Sequence, residues 1–326
     1  MRSPGRPDEQ PFAARTQALR HTFPVSDSLD RAAAEVFETF AKEGLEAILL
    51  KGPAVATWLY RDADERSYGD LDLLVAPADI AHAERLLELS GYTGKLLVGE
   101  RGAPSSRIWT RSTDEAVVDL HDRVIGSEGP SEAAWRVLRA ETEPLALGGG
   151  SVTVLQAPAR AVVVALAAAE TGSSAPKRLD DLAAALEHLP FETWQRAGAL
   201  AERIHAAAAF AAALRLLPAG ADVAAALQLR SSAPVDVRLR AEAPPNAKGG
   251  ALAIAWIAGQ HTWPGRLRAV ARVLAPSPSA MKEASAVARR GSAGLAAAYA
   301  WRLVVLAPRR IVPASRAYLA ARRRSR

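Results

Sequence analysis

Cysteine is absent from the 326 residues, so disulfides and thiolate metal sites are excluded and any metal must use oxygen or imidazole donors. No apolar run of roughly 18 residues is free of charge, and no membrane-spanning helix is expected. Residues 1–24 mix Arg, Asp, Glu and Pro without a continuous apolar core, unlike a secretion signal, and residues 1–25 are expected to form a flexible arm. These absences suit a cytoplasmic protein. Acidic residues also run out: beyond Glu242 the only one is Glu283, while Arg322, Arg323, Arg324 and Arg326 close the chain. Such a basic end suits an anionic partner or serves as a solubilising tail. No repeat of fixed period occurs.

What is present is an alanine-rich chain, 49% hydrophobic and 23% charged, with net charge +6. It is long enough for one large or two ordinary domains. The first part alternates helix and strand patterns. Apolar residues at helical spacing predict a helix ending at Gly44, and the run 45–50 predicts a buried strand. Further strands are expected at 92–98, 107–110, 116–121 and 151–155, with a helix around Trp135, Val137 and Leu138 followed by a polar connection up to Gly148. The run Gly148-Gly149-Gly150 and Pro158 place a domain boundary after residue 157, beyond which only helices and loops are read. Among these are one long helix over 194–217 and a linker or exposed loop over 231–250. A helix over 293–306 has apolar positions nearly all round, which suit core packing more than lying on a membrane with its arginines at the interface.

Three stretches carry candidate chemistry. Lys51-Gly52-Pro53 follows a strand pattern and precedes a helix pattern, a turn whose backbone N–H groups and dipole end can hold phosphate, with Lys51 beside it. An ordinary strand-to-helix turn would look the same. In Arg66-Ser67-Tyr68-Gly69-Asp70-Leu71-Asp72-Leu73, period-2 alternation puts Asp70 and Asp72 on one strand face, roughly 7 Å apart. That face is either solvated or neutralised by hard cations. Val118-Asp119-Leu120-His121 places Asp119 and His121 on one face of a later strand, Asp119 being the third carboxylate a metal cluster would need. His121 either orients Asp119 or fills the strand face.

In this order, Leu50-Lys51-Gly52, Leu59-Tyr60, Arg66, Tyr68-Gly69-Asp70-Leu71-Asp72-Leu73-Leu74-Val75 and Val118-Asp119-Leu120-His121 resemble the uncharacterised nucleotidyltransferase family of the DNA polymerase β-like superfold. The resemblance covers roughly 45–155 and continues into Lys177-Arg178-Leu179-Asp180-Asp181-Leu182. The chain departs from the superfamily pattern in having Gly52-Pro53 where Gly-Ser or Gly-Gly is usual.

The resemblance implies an α/β (α+β) protein. A polymerase β-like nucleotidyltransferase domain over 26–157, with a mixed sheet flanked by helices, would precede an α-helical domain over 158–326. It implies transfer of an NMP group from an NTP to a hydroxyl or phosphate acceptor with Mg²⁺ or Mn²⁺. Asp70, Asp72 and Asp119 would bind metal and act in catalysis. Lys51, Gly52, Arg66, Gly69 and Lys177 would contact the nucleotide. Members occur in bacterial biosynthetic clusters, including those for lasso peptides, so the acceptor is expected to be a small molecule or peptide rather than nucleic acid. Two rival readings use the same residues: a nucleotide-sugar-dependent glycosyltransferase with an Asp-x-Asp metal site, and a non-catalytic nucleotide- or peptide-binding protein.

Overall fold

The computed structural model describes residues 25–61, 66–98, 104–172, 175–230, 232–260, 262–275, 277–278, 281–282 and 285–324. Apart from Val25, the expected N-terminal arm lies outside them. The sheet-building half runs α1 (Val25–Lys42), β1 (Ala47–Leu49), α2 (Pro53–Leu59), β2 (Leu71–Val75), α3 (Ile80–Leu89), β3 (Tyr92–Val98), β4 (Pro104–Arg111), β5 (Val117–His121), α4 (Ser131–Arg139), β6 (Thr142–Leu147) and β7 (Gly150–Leu155). Helices follow: α5 (Ala157–Thr171), α6 (Pro176–His188), α7 (Phe191–Arg203), α8 (Ala207–Leu214), α9 (Pro218–Ala226), α10 (Val235–Glu242), α11 (Pro245–Ala258), α12 (Trp263–Leu274), α13 (Ser292–Trp301) and α14 (Ala307–Arg324).

The seven strands form one mixed sheet in the order β3-β4-β5-β2-β1-β7-β6. Strand β2 is parallel to β5 and antiparallel to β1, and β1 is parallel to β7. All five β2 residues are buried because both sheet faces are covered. Leu71, Leu73 and Val75 pack in the cluster that includes Val36, Phe40 and Leu87 of α1 and α3. Leu74 and Ile48 point the other way, into a cluster built largely from α5, α7 and α8. Apolar residues at alternate positions therefore sort onto two different cores. That second cluster runs from Ile48 to Val237, across position 157, so α5 packs on the sheet as directly as any earlier helix.

Several expectations change. The polar stretch after α4 is strand β6, paired antiparallel with β7, and Gly148 and Gly149 (φ 59° and 85°) make the hairpin turn between them. Glycine there serves the left-handed turn. The single helix expected over 194–217 is interrupted between α7 and α8, where His205 adopts φ 54°. The 231–250 stretch holds α10 and the start of α11 instead of an open linker, and Leu239, Ala243 and Ala251 pack with Ala314 and Ala321 of α14. The helix expected over 293–306 to be core-packed instead leaves Trp301, Leu303 and Val304 exposed.

Candidate active site

The parallel register of β2 and β5 sets Asp72 directly beside Asp119 and Leu74 beside His121. Since side chains alternate along a strand, Asp72, Asp119 and His121 share one sheet face. His121 Nε2 lies 3.2 Å from Asp72 Oδ1 and 3.5 Å from Asp119 Oδ2. One donor atom from each of the three falls within 4.8 Å of the others, and the group could hold a metal ion. The acidic face is interior at Asp72, which is 6% exposed, whereas Asp70, just before the strand, reaches solvent. Helices packed over both sheet faces explain why β2 is not a surface strand.

Lys51, two residues beyond the end of β1, places its ammonium on Asp72 Oδ1. Burial alone would raise the Asp72 pKa, but the hydrogen bond with His121 and the charge of Lys51 outweigh it and hold the carboxyl far below the ordinary range. Asp70 shifts the opposite way. Crowding withdraws water from its carboxyl, and the Asp72 and Asp119 charges add to the rise, while Lys51 and Arg178 oppose it. An acid whose folded pKa is raised opposes folding at pH values above its ordinary range, where it must ionise. Asp70→Asn is therefore expected to raise Tm slightly in EDTA, since the carboxyl keeps access to water. Calorimetry showing a lower Tm for this variant would contradict the assigned charge crowding.

The glycine turn is built differently from an outward-facing phosphate cradle. Residues 52–56 are all buried, and the Val55 and Ala56 N–H groups donate to the Gly52 carbonyl at 3.2 and 3.1 Å. Arg66 Nη1 donates to the same carbonyl at 3.1 Å. Gly52 has φ 63°, and a Cβ there would meet the Asp70 carbonyl oxygen at 2.9 Å. Gly52→Ala should cost about 1–3 kcal/mol of stability and shift Asp70. Denaturant unfolding with an unchanged midpoint would show that the turn tolerates a side chain.

The resemblance implies a nucleotide contact for Arg66. The structure buries it, at 7% exposure, and joins it to Asp181 of α6, which is 5% exposed. The contact is bidentate: Nε to Oδ1 at 2.5 Å and Nη2 to Oδ2 at 2.7 Å. Tyr60 donates its hydroxyl to Asp181 Oδ1 at 2.9 Å. This arrangement links the helical half, through Arg66, to the Gly52 carbonyl. Asp181 lies in the stretch through which the family resemblance continues, but its pairing with Arg66 is not legible in the sequence, because the two residues are 115 positions apart. Lys177, at the exposed start of α6, donates to the Ser67 carbonyl, and Arg178 beside it is half-buried with its charge felt at Asp70. Gly69 is exposed, with open space where a side chain would project.

The fold and its site define a mixed α/β protein in which two aspartates and a histidine from adjacent parallel strands converge beside a lysine and a glycine turn. Residues 6–219 match the profile of the uncharacterised nucleotidyltransferase family, and the chain belongs to that family. No curated protein matches it. Among solved structures it is similar to an antigenic nucleotidyltransferase-like protein from Paracoccidioides brasiliensis, with 15% identity, 63% of this chain and 94% of that chain covered, and a TM-score of 0.39. A likeness that loose transfers no residue role or activity.

Proposed function

We propose that the chain moves a nucleoside monophosphate from an NTP to a hydroxyl or phosphate of a small molecule or peptide, such as a peptide natural product of the lasso class. The observation that carries this reading is the side-by-side placement of Asp72 and Asp119, with His121, in a member of a nucleotidyltransferase family. The donor set suits a divalent ion. Carboxylate oxygens accept Mg²⁺ or Mn²⁺, and the imidazole favours Mn²⁺ over Mg²⁺. Asp72, Asp119 and His121 would hold the ion, with Asp70 adding negative charge at the solvent side. When bound, a divalent ion in such a site neutralises charge on the transferred phosphoryl group and its leaving group.

The chain's own residues divide the remaining work. Asp119 accepts the proton of the acceptor hydroxyl. Lys51, Lys177 and Arg178 meet phosphate charge from different sides, as fixed cations in a partly desolvated site do effectively. Gly69, with no side chain, lets a ligand approach the backbone. Arg66 and Gly52 act one layer back: the guanidinium fixes the turn on which Lys51 and the Asp70 backbone rest. The test is pyrophosphate release with each NTP and Mg²⁺ or Mn²⁺ across candidate acceptors, followed by mass spectrometry of the product. An acceptor gaining the mass of an NMP group supports the reading. Metal-dependent NTP binding without pyrophosphate release over a broad acceptor panel would replace it with a binding role.

A further inference from the structure

We propose that the C-terminal helices form a peripheral docking surface for an anionic lipid bilayer. Ten of the twelve large apolar side chains exposed among the described residues lie beyond position 262. The sequence after Glu242 also holds 15 Lys and Arg residues against one acid, Glu283. Either feature alone is common on helical proteins. Their combination on the same helices is what specifies the partner.

Helix α12 shows the pattern within one element. Trp263, Leu267 and Leu274 are 69%, 52% and 37% exposed. At 100° per residue they fall within about 40° of one another, while the buried Ala269 lies about 120° from Trp263. The helix thus rests on the protein through a small residue and turns its apolar stripe to solvent. Exposed Arg266 borders the stripe, about 60° from Trp263, while Arg268 and Arg272 are exposed on the far side of the helix. Arg302 donates to the Val273 carbonyl at 3.0 Å, bringing Trp301 and Val304, which are likewise exposed, to the end of α12.

Helix α14 likewise rests on alanines with its apolar side outward, and here the arginines flank that side. Ala314 and Ala321 are buried in the cluster with Ala251 of α11. Val312 and Leu319 are exposed seven residues apart on the opposite side, and Arg316 and Arg323, also exposed, lie within about 40° of Val312 around the helix.

The charge pattern selects among occupants. A second copy would bring the same excess of arginine against itself and be repelled. Nucleic acid would use the arginines but gains nothing from Leu267, Val304 or Val312, because single strands bind through aromatic stacking and duplexes through phosphate and groove contacts. An anionic bilayer surface uses both: headgroup phosphates meet the arginines, and the interfacial zone takes up tryptophan and aliphatic side chains. None of the described helices is long and apolar enough to cross a membrane, so the contact is with the surface.

The test uses the full chain in vesicle flotation. Binding should be at least about tenfold stronger to phosphatidylcholine vesicles with about one-third phosphatidylglycerol than to phosphatidylcholine alone. The combined variant Trp263→Ser, Leu267→Ser, Val304→Ser should lose at least about tenfold of that binding with Tm unchanged, because all three side chains are already exposed. No binding to anionic vesicles would overturn the proposal. So would full retention of binding by the triple variant, or binding to RNA or duplex DNA but not to vesicles.

Discussion

Asp119→Asn is expected to lower turnover at least about a thousandfold, on the order of 4 kcal/mol of transition-state stabilisation, with little change in Tm. The substitution keeps the size and shape of the side chain and removes its charge and its basicity. Asp119 is the cleaner of the two central carboxylates to alter. Asp72 carries both Lys51 and His121 at its Oδ1 atom, and neutralising it would leave a half-buried ammonium without its main counter-charge. Loss of activity in Asp72→Asn would mix chemistry with stability. Asp119 is more exposed, with 20% of its side chain accessible, so its loss should be read in kcat. The measurement is pyrophosphate release by the purified variant beside a melting curve. Turnover equal to wild type would remove Asp119 from the reacting centre and leave the β2–β5 pairing as architecture.

The second large effect concerns stability. Asp181→Ala should lower Tm by about 10 °C, because it strands the Arg66 guanidinium in the interior at a cost of about 3–5 kcal/mol. Tyr60 loses its acceptor in the same step. A paired replacement separates the two roles of this contact. Arg66→Met with Asp181→Leu removes both charges, and buried ion pairs exchanged for apolar side chains are often neutral or stabilising. This double variant should recover most of the lost Tm. Its nucleotide transfer should stay low, because the Gly52 carbonyl no longer receives the Arg66 N–H and the turn beneath Asp70 is less restrained. Calorimetry showing Asp181→Ala as stable as wild type would mean that the pair is energetically idle.

Much of the local structure was legible. Alternation in Asp70-Leu71-Asp72-Leu73, the Gly52-Pro53 junction and the order of elements up to β5 follow from periods of 2 and 3.6 residues and from turn chemistry, all encoded within a few positions. The family resemblance rested on those same stretches, and the family match spans them. The departures from these patterns have separate causes. Strand β6 has the pattern of a polar connection because it is an edge strand whose outer residues face water. The break at His205 carries no Gly or Pro to mark it, and the exposed end of α13 has the composition of a core helix.

By itself the sequence determined which residues are acidic, which alternate, and that a glycine turn precedes the acidic strand, since these properties depend on near neighbours alone. Only the tertiary structure decided that Asp72 and Asp119 stand side by side, that His121 joins them, and that Arg66 is taken by Asp181. Those pairings depend on strand register and helix docking, which are set by burying apolar faces between segments far apart in the chain.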